Sequence, residues 1–426
     1  MTLPPQPKSS RRRAFLREPL VYRSLIALLL LVVLVEIVVL ARHNFTPAKQ
    51  GQRIAAKAEK QLGAGPLNAK QGRIDFNRVE ARAEALMHRR DMVGLGIAVV
   101  EDGQLAFVKT YGETKADSGE KVLPTTLFRW ASVSKGVAAT LAAVLDQQHK
   151  LSLNDPVDKW SRSIRLPKSN EHVATLADAI SHRLGIVKNA YDDRLEEGID
   201  PAVIRGSFGP LFPMCPPGTC FAYQNVGYDL IHEAIEKATG KSYDQAARSI
   251  LFGPLGMTSA NTTREGLIGA KSWAQPHNGR RTLPVEEPYY RVPAAGGVNS
   301  SIIDLGIWMR AQMGGAPAVL NQKVLFTLHV PRVLTPRRGL ANYDQIQKGG
   351  TYGLGFRQSD YDTHHLVGHR GAVSGYRSMI LFDPAEKVGV AILWNSQSVK
   401  PTGMALEILD QYYRRPQHDW MEIERQ

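Results

Sequence analysis

Cysteine is scarce in this sequence, since Cys215 and Cys220 are the two cysteines among 426 residues. No combination of cysteine and histidine has the spacing of a zinc site, which excludes the structural zinc classes. Clustered basic helices and nucleic-acid motifs are also missing, although the formal net charge is +13. Much of this excess lies in the first 75 residues, so we rank nucleic-acid binding last among the hypotheses.

Internal repeats are not visible either, which argues against a solenoid or an array. The hydrophobic content of 43% is enough for a sizeable core, in one large domain or in two intimate ones. The charged fraction of 22% is ordinary, so we expect most of the chain to fold.

The N-terminal region has the pattern of a membrane anchor. Residues 1–24 carry several lysines and arginines against Glu18 alone, and Leu25–Ala41 is almost unbroken apolar sequence. Extended back through Leu20, this run reaches the roughly 20 residues that a bilayer core requires. Its basic flank predicts that the N-terminus lies inside and the bulk of the chain outside. We read Glu36 as tolerated near the outer end of the span.

A cleaved signal peptide is the alternative, but Val39-Leu40-Ala41 is a poor cleavage site and Arg42 follows at once. We therefore predict a single-pass anchor in the inner membrane with the folded domain on the periplasmic side. The predicted segments are a basic cytoplasmic tail (1–24), a transmembrane anchor (25–41), a tether (42–72), a folded domain (73–415) and a C-terminal tail (416–426).

The stretch Phe128–Lys135 contains Ser-x-x-Lys, formed by Ser132 and Lys135. Apolar residues follow at helical spacing, which predicts an amphipathic helix that begins at the serine and brings the lysine onto the same face. A serine hydroxyl needs an adjacent base to act as a nucleophile, and the N-terminus of a helix offers free N–H groups to an oxyanion. An ordinary helix N-cap is the alternative role of Ser132. A second copy, Ser118–Lys121, lies in polar sequence and reads as a loop.

The rest of the pattern places strands on both sides of a helical region. It predicts a helix over 75–90, a hairpin of strands 93–100 and 104–110, mostly helices over 151–263, and strands from Ala294 onward. The late strands are expected at 365–369, 374–383 and 388–395, before a last helix over 402–413. The two ends of the chain are thus expected to share an antiparallel sheet, with a large helical insert between them, which makes one α/β unit with two lobes. A cleft between such lobes is a common position for a binding or active site.

Two further motifs follow the serine along the chain. Tyr223 and Asn225 belong to a Tyr-x-Asn sequence after a Pro/Gly turn, and His369-Arg370-Gly371 lies in a run typical of a strand. A tyrosine can shuttle protons, an asparagine can bind a substrate amide, and a glycine lets a substrate backbone approach the strand. The alternatives are a half-buried core tyrosine, a solvated strand histidine and a β-bulge.

Ser-x-x-Lys, Tyr-x-Asn and His-x-Gly in this order resemble the three motifs of the penicillin-recognising serine hydrolases. The likeness is greatest to the branch with class C β-lactamases, D-Ala-D-Ala carboxypeptidases and related esterases, and it covers about residues 75–415. Further stretches that resemble this family are Thr126–Arg129, Leu153–Val157, Pro217-Gly218, Gly253–Met257, Ala295–Val298 and Tyr352–Phe356. The resemblance implies a β-lactamase/transpeptidase-like fold, in agreement with the two-lobed α/β pattern.

The resemblance implies a role for each motif residue. Ser132 is the acylated nucleophile, Lys135 accepts or relays its proton, and Tyr223 is a general base that also activates water. Which residue is the base is disputed even among relatives. The backbone N–H groups of Ser132 and Ala372 form the oxyanion hole.

Substrate-binding roles are implied for Asn225, His369, Arg370 and Gly371. His369 stands where many relatives carry lysine, so the cleft has one less fixed positive charge. Arg370 stands where a small hydroxyl residue is common. Its guanidinium can grip a substrate carboxylate, or it can point away from the cleft, because neighbours on a strand face opposite sides.

Two stretches depart from the family pattern. His182–Ile186 stands where relatives usually have His-Thr-Ser-Gly, and we treat it as a structural loop without chemistry. Cys215 and Cys220 are an addition. Outside the membrane a disulfide between them would brace the Tyr223 loop, whereas in a reducing cytosol they would remain thiols.

The favoured function is therefore a membrane-anchored serine hydrolase that works through a Ser132 acyl-enzyme on an amide, ester or lactam carbonyl. No metal or organic cofactor is implied. The expected substrate is a small molecule or peptide, with cell-wall peptides among the candidates, and D-amino-acid peptides and esters rank ahead of β-lactams. The alternative is a non-catalytic penicillin-binding sensor or scaffold.

Overall fold

A computed structural model describes residues 72–336, 344, 346 and 348–424 of the chain. The predicted tail, the predicted anchor Leu25–Ala41 and all but the last residue of the predicted tether lie outside these residues. Among the helices that are described, none combines the length and the apolar character needed to cross a bilayer.

One antiparallel sheet forms the centre of the described structure. Its strand order is β2–β1–β12–β11–β10–β9–β8–β7, so strands from both ends of the chain lie side by side. Strands β3 with β6 and β4 with β5 form two short ribbons. The strands are β1 (Gly94–Glu101), β2 (Gln104–Gly112), β3 (Phe128–Arg129), β4 (His277–Asn278), β5 (Arg281–Thr282), β6 (Asn299–Ser300), β7 (Val333–Leu334), β8 (Lys348–Tyr352), β9 (Arg357–Tyr361), β10 (His364–Val373), β11 (Tyr376–Asp383) and β12 (Val388–Trp394).

Helices cover both faces of this sheet and form most of the segment between β2 and β7. They are α1 (Phe76–Met87), α2 (Ser134–Gln147), α3 (Leu176–Ile180), α4 (Asp192–Glu196), α5 (Pro201–Gly206), α6 (Val226–Thr239), α7 (Tyr243–Ala247), α8 (Gly253–Leu255), α9 (Arg264–Ile268), α10 (Pro293–Gly296), α11 (Ile302–Arg310), α12 (Gln322–His329) and α13 (Pro401–Tyr412). The α/β fold with an antiparallel sheet and a large helical insert is confirmed.

The sheet separates two hydrophobic cores. Along β1, Leu95, Ile97 and Val99 belong to the core shared with α1 and α13, while Ala98 and Val100 belong to the core shared with α2 and α6. Alternate residues of a strand face opposite sides, so an apolar strand that is buried on both faces joins the two layers.

Local sequence signals account for several elements. In the predicted hairpin, Asp102 and Gly103 both have positive φ, at 49° and 75°, as the tight turn between β1 and β2 requires. Asp75 caps α1 by accepting from the backbone N–H groups of Asn77 and Arg78. The helix over 75–90, the hairpin and the three late strands are confirmed.

Three predictions about elements are wrong. The helix does not begin at Ser132, which lies in the 3-10 turn Ala131–Val133, and α2 starts at Ser134. Nor has α2 a single apolar face, because every residue from Ser134 to Leu145 is buried, which makes it a central helix. The segment after Ala294 is also mostly helical before β7, since α11 and α12 follow the two-residue strand β6.

The end of the described chain packs against the folded domain. Met421 is fully buried, and the Trp420 indole donates to Asp410 at 2.7 Å. Arg82 on α1 contacts Glu407 on α13 and Asp419 at 2.7 and 2.6 Å. The packed unit therefore extends past residue 415, which we predicted as the domain's end.

Candidate active site

Ser132 lies at the mouth of a cleft, in the short turn that joins β3 to α2. The buried residue Trp130 fixes this turn, because its backbone N–H donates to the carbonyl of Val298 at 2.8 Å. Ala131 adopts a φ of 47°, in a region that non-glycine residues rarely occupy. Such strain persists where the surroundings hold it in place, and here it presents the neighbouring serine, which is half-buried.

Lys135 is fully buried and its three N–H donors are all used. They are directed to Ser132 Oγ at 3.3 Å, Asn225 Oδ1 at 2.8 Å and the carbonyl oxygen of Ala295 at 2.9 Å. Three oxygen atoms around one amine suit its ammonium form, in which all three N–H groups donate. In that form Lys135 places a positive charge beside the serine.

Asn225 links Lys135 to a carboxylate that the sequence analysis missed. Its amide nitrogen donates to Asp192 Oδ2 at 2.7 Å while its oxygen accepts from Lys135. The two contacts assign the orientation of the amide, since only its nitrogen can donate. Burial raises the pKa of Asp192, and the hydrogen bond from Asn225 and the charge of Lys135 oppose that shift.

Tyr223 lies in a loop, yet several contacts hold it at the serine. Its ring centroid is 4.2 Å from that of His182, and Lys135 Nζ is 4.8 Å from the ring centroid. Burial alone would raise the pKa of Tyr223, but the Lys135 charge, with Ser132 and Arg357, brings it below the ordinary value. A phenol with a lowered pKa can take a proton from a neighbouring hydroxyl.

The loop before Tyr223 carries the predicted disulfide. Cys215 and Cys220 are bonded in the structure, with 6.3 Å between their Cα atoms. The backbone of the loop is also anchored, because the N–H of Ala222 donates to the carbonyl of His182 at 2.9 Å. The stretch around His182, to which we assigned no chemistry, therefore supports the tyrosine.

Strand β10 passes very close to the serine turn at Gly371. A Cβ atom there would lie 2.2 Å from the carbonyl oxygen of Trp130 and 3.0 Å from Ser132 N. Only glycine allows this approach, which brings the next residue, the exposed Ala372, alongside the serine. The two predicted oxyanion donors, Ser132 N and Ala372 N, thus come from neighbouring segments.

One edge of β10 is open beside the serine. Strand β11 pairs with it as far as Val373, whereas β9 pairs with it only from His364 to Gly368. Within the described residues, 371–373 therefore have no strand partner on the β9 side. An edge of this kind can add an extended peptide.

Arg370 and His369, which we predicted to bind substrate, both contact other side chains of the protein. Arg370 forms an ion pair with Asp344 at 2.7 Å, although it lines the cleft. His369 is buried, with its Nε2 3.1 Å from the hydroxyl of Tyr352.

Arg357 is a second residue that sequence reasoning missed. Its guanidinium carbon lies 5.5 Å from the ring centroid of Tyr223, and burial lowers its pKa. Its Nε is buried without a hydrogen-bond partner, and no carboxylate of the described residues lies within ion-pair distance. Arg357 directly follows Tyr352–Phe356, one of the stretches that resemble the family. This position is the one signal in the sequence that points to it.

The cleft has a volume of about 930 Å³ and contains Ser132, Tyr223, Asn225, Arg357 and Ala372 in its lining. This volume would hold a ligand of peptide size. In the part of the chain that the structure describes, no three His, Cys, Asp or Glu side chains come together as a metal site would require.

A sequence profile of the family described as Beta-lactamase matches residues 79–412. The octameric penicillin-binding protein homologue from Pyrococcus abyssi superposes with a TM-score of 0.71 and 25% identity, over 80% of this chain and 78% of that one. The likeness thus extends over the whole sheet and the helical insert.

Several curated proteins are similar in sequence. "Unguisins hydrolase ungD'" of Aspergillus campestris is 26% identical over 337 residues, covering 75% of this chain and 61% of that protein. "Protein flp" of Staphylococcus aureus is 25% identical over 323 residues, with 72% and 60% covered. "Penicillin-binding protein 4" of Amycolatopsis lactamdurans is 26% identical over 335 residues, with 76% and 86% covered. The match spans only about three fifths of the first two proteins.

Proposed function

Because this chain belongs to the Beta-lactamase family, we propose that it is a serine hydrolase that acts through an acyl-enzyme on Ser132. The observation that carries the proposal is the contact of Lys135 with Ser132 and Asn225 inside one cleft. This array places a hydroxyl, a buried cation and a phenol with a lowered pKa around one point.

Tyr223 is the base in this proposal, because its pKa is lowered beside Lys135 and Ser132, while the three oxygen neighbours of Lys135 suit an ammonium. The Ser132 Oγ–H proton passes to the Tyr223 phenolate while Oγ bonds to the substrate carbonyl carbon. The oxyanion that forms accepts hydrogen bonds from Ser132 N and Ala372 N, each worth about 2.7–4 kcal/mol in transition-state free energy. The bond between the carbonyl carbon and the leaving group then breaks as Tyr223 gives its proton to the leaving group. In the second half-reaction Tyr223 takes a proton from the water that bonds to the acyl carbon, and it returns this proton to Ser132 Oγ as the ester bond breaks.

The substrate that this cleft fits is an acyl compound of peptide size with an anionic group. The open edge of β10 at residues 371–373 can pair with a peptide backbone. Arg357 offers a cation in the cleft lining, whereas Arg370 is already paired with Asp344. We therefore place D-amino-acid peptides and esters first. The name penicillin-binding protein 4 of one relative keeps β-lactams as a further substrate class.

A penicillin-binding sensor or scaffold is the second candidate. Such a protein would be acylated but would release the product very slowly. Tyr223, to which the proposal assigns the activation of water, has its ring centroid 4.8 Å from the Lys135 amine, which favours turnover. Slow release of a stable adduct would instead support the sensor.

We further propose that the chain is anchored by Leu25–Ala41 with the hydrolase domain outside the cytoplasm. The apolar run with its basic flank supports an anchor. The Cys215–Cys220 disulfide suits an oxidising compartment. Extraction of the full-length protein from membranes tests this, since an anchored protein needs detergent and a cleaved one appears in the soluble fraction with a lower mass.

The first test of the activity is intact mass spectrometry of the full-length protein with a penicillin and with an activated ester. We expect one acyl adduct, or consumption of the probe, that the Ser132→Ala variant loses completely. The matched control is Ser118→Ala, which removes the exposed serine of the second Ser-x-x-Lys and should retain the adduct. Full reactivity of Ser132→Ala with both probes would overturn the assignment.

A further inference from the structure

A row of three buried aromatic side chains lies beneath Tyr223. His182 Nε2 is 3.1 Å from the Tyr352 hydroxyl, and the same hydroxyl is 3.1 Å from His369 Nε2. All three side chains are almost completely buried. The row crosses from the loop after α3, through the end of β8, to β10.

Backbone groups at the two ends of this row determine which of its atoms donate hydrogen bonds and which accept them. The N–H of Gln224 donates to His182 Nδ1 at 3.1 Å, so that nitrogen carries no proton. At the other end His369 Nδ1 is 2.8 Å from the carbonyl oxygen of Arg370, which can only accept, so this nitrogen is protonated.

The protons between the two ends follow from this. A neutral His182 carries its proton on Nε2 and donates it to the Tyr352 oxygen. The Tyr352 hydroxyl then donates to His369 Nε2, which is left without a proton. Each of these contacts then has one donor and one acceptor, and both imidazoles are neutral.

We propose that His182 and Tyr352 are positioning residues that hold His369 as a neutral imidazole and support the ring of Tyr223. This rests on the proposed function only where it concerns catalysis. His369, two residues before Gly371 on β10, would then bear no charge at neutral pH. Recognition of an anionic substrate would fall to Arg357 instead of His369.

The charges around His369 also favour its neutral form. A protonated His369 would lie among other cations, because Arg357 on β9 and Arg370 on its own strand are nearby, with Asp344 as the paired carboxylate. The ring of Tyr223 lies 6.3 Å away. A new positive charge here would alter the proton affinity of Tyr223.

The direct test is the protonation of both imidazoles in the full-length protein, measured by long-range 1H–15N NMR. We expect His369 to be protonated at Nδ1 and His182 at Nε2 between pH 5 and pH 8, without titration. A His369 that is protonated at Nε2, or that titrates in this range, overturns the proposal. This measurement needs no turnover, so it stands apart from the test of the proposed function.

The matched variants are Tyr352→Phe and Tyr361→Phe. Both remove one buried hydroxyl, and Tyr361 lies on β9 with its hydroxyl on Asp410, away from the cleft. In Tyr352→Phe we expect His369 to titrate near the ordinary histidine value of about 6.5. We expect kcat/KM below that pH to fall about tenfold, the equivalent of one hydrogen bond.

The pH profile separates positioning from a structural role. A variant that is merely less stable would lose activity without a new inflection, whereas Tyr352→Phe should gain one between pH 6 and pH 7. Tyr361→Phe should keep the wild-type profile. If Tyr352→Phe leaves both the NMR titration and the profile unchanged, the row does not control His369.

Discussion

At the scale of single residues, the site depends on how one buried ammonium is accommodated. Lys135 has no exposed surface, and its three acceptors are an alcohol, an amide and a backbone carbonyl. A buried charge is costly unless it is compensated. The nearest compensation runs through Asn225 to Asp192, whose second carboxylate oxygen is buried and has no hydrogen-bond partner among the described residues.

Replacing Asp192 should therefore affect catalysis more than folding. In Asp192→Asn the negative charge near Lys135 is lost, and the amide of Asn225 is held less firmly. We expect kcat to fall about tenfold, corresponding to roughly 1.4 kcal/mol, with little change in KM. The control is Asp193→Asn, at an exposed neighbouring position of α4. Equal kcat values for the two variants would rule out the role of Asp192.

At the scale of elements, the active centre is a contact between a strand and a turn. Strand β10 supplies Gly371 and Ala372, and the 3-10 turn before α2 supplies Ser132. Ser378 on β11 also donates to the carbonyl of Trp130, which ties the turn to the sheet. The distance between strand and turn is therefore set by the absence of a side chain at residue 371.

A methyl group at Gly371 should separate the two elements. In Gly371→Ala the Cβ would lie 2.2 Å from the Trp130 oxygen, so the strand has to move by about an ångström. A misplacement of this size costs about 100-fold in rate. We expect at least that loss in kcat/KM for the variant, measured beside its melting temperature.

The control for this prediction is Gly206→Ala at the end of α5. A Cβ there would be 3.6 Å from the nearest atom, an ordinary contact, and the residue is exposed. This variant should keep its activity and melting temperature. Wild-type kcat/KM in Gly371→Ala would show that the close approach is not needed.

At the scale of the whole molecule, unfolding exposes to water the ionisable groups that are buried in the two cores. His329 is one of these, because its ring packs edge-on against Phe356 at 5.0 Å between centroids. Burial lowers the pKa of His329 to about 3, with a smaller contribution from His365. The unfolded chain would bind this proton near the ordinary value of about 6.5.

The stability of the fold should therefore fall as the pH decreases from about 6.5 towards 3. The unfolded state binds more protons in this window, so the free energy of unfolding is lost by up to about 5 kcal/mol from this one group. Urea unfolding at pH 7, 5 and 4 should show a shallower decline for His329→Gln than for the wild type. His88→Gln, at an exposed histidine, should keep the wild-type slope.

Asp304 changes the pH dependence of stability in the opposite direction. The slope of the wild type therefore has to be compared with that of His329→Gln. Burial raises its pKa to about 6, opposed by hydrogen bonds from Ser259, so the fold gains stability as the pH falls through this value. The same gain occurs in the wild type and in His329→Gln. The difference between their slopes therefore isolates the histidine, and equal slopes would contradict the prediction.

Elements whose geometry depends on neighbours along the chain were predictable from the sequence. The hairpin at Asp102-Gly103 and the N-cap at Asp75 are local, since turn and cap chemistry involve residues two or three positions apart. The central helix was predicted less well. It is covered by α6, α10 and α12, and a sequence pattern does not show what covers a helix from outside.

In the candidate site, too, the local features were predictable and the contacts between distant residues were not. Ser132 and Lys135 stand three residues apart, so the turn at the start of α2 is enough to bring them together, and the three motifs identified the residues that line the cleft. Their partners were not predictable. Ala295 follows Lys135 by 160 positions, and Asp192 precedes Asn225 by 33.

By itself, then, the sequence determined the chemistry that is available: a serine, a lysine and a tyrosine in the order of a known family, with a strand glycine for close approach. Only the tertiary structure decided which charges are free to meet a substrate. Arg370 was the candidate from its position in a motif, yet it is paired with Asp344, while Arg357 faces the cleft without a carboxylate partner among the described residues. The physical reason is that a motif specifies a side chain, whereas its availability depends on the neighbours that folding brings to it.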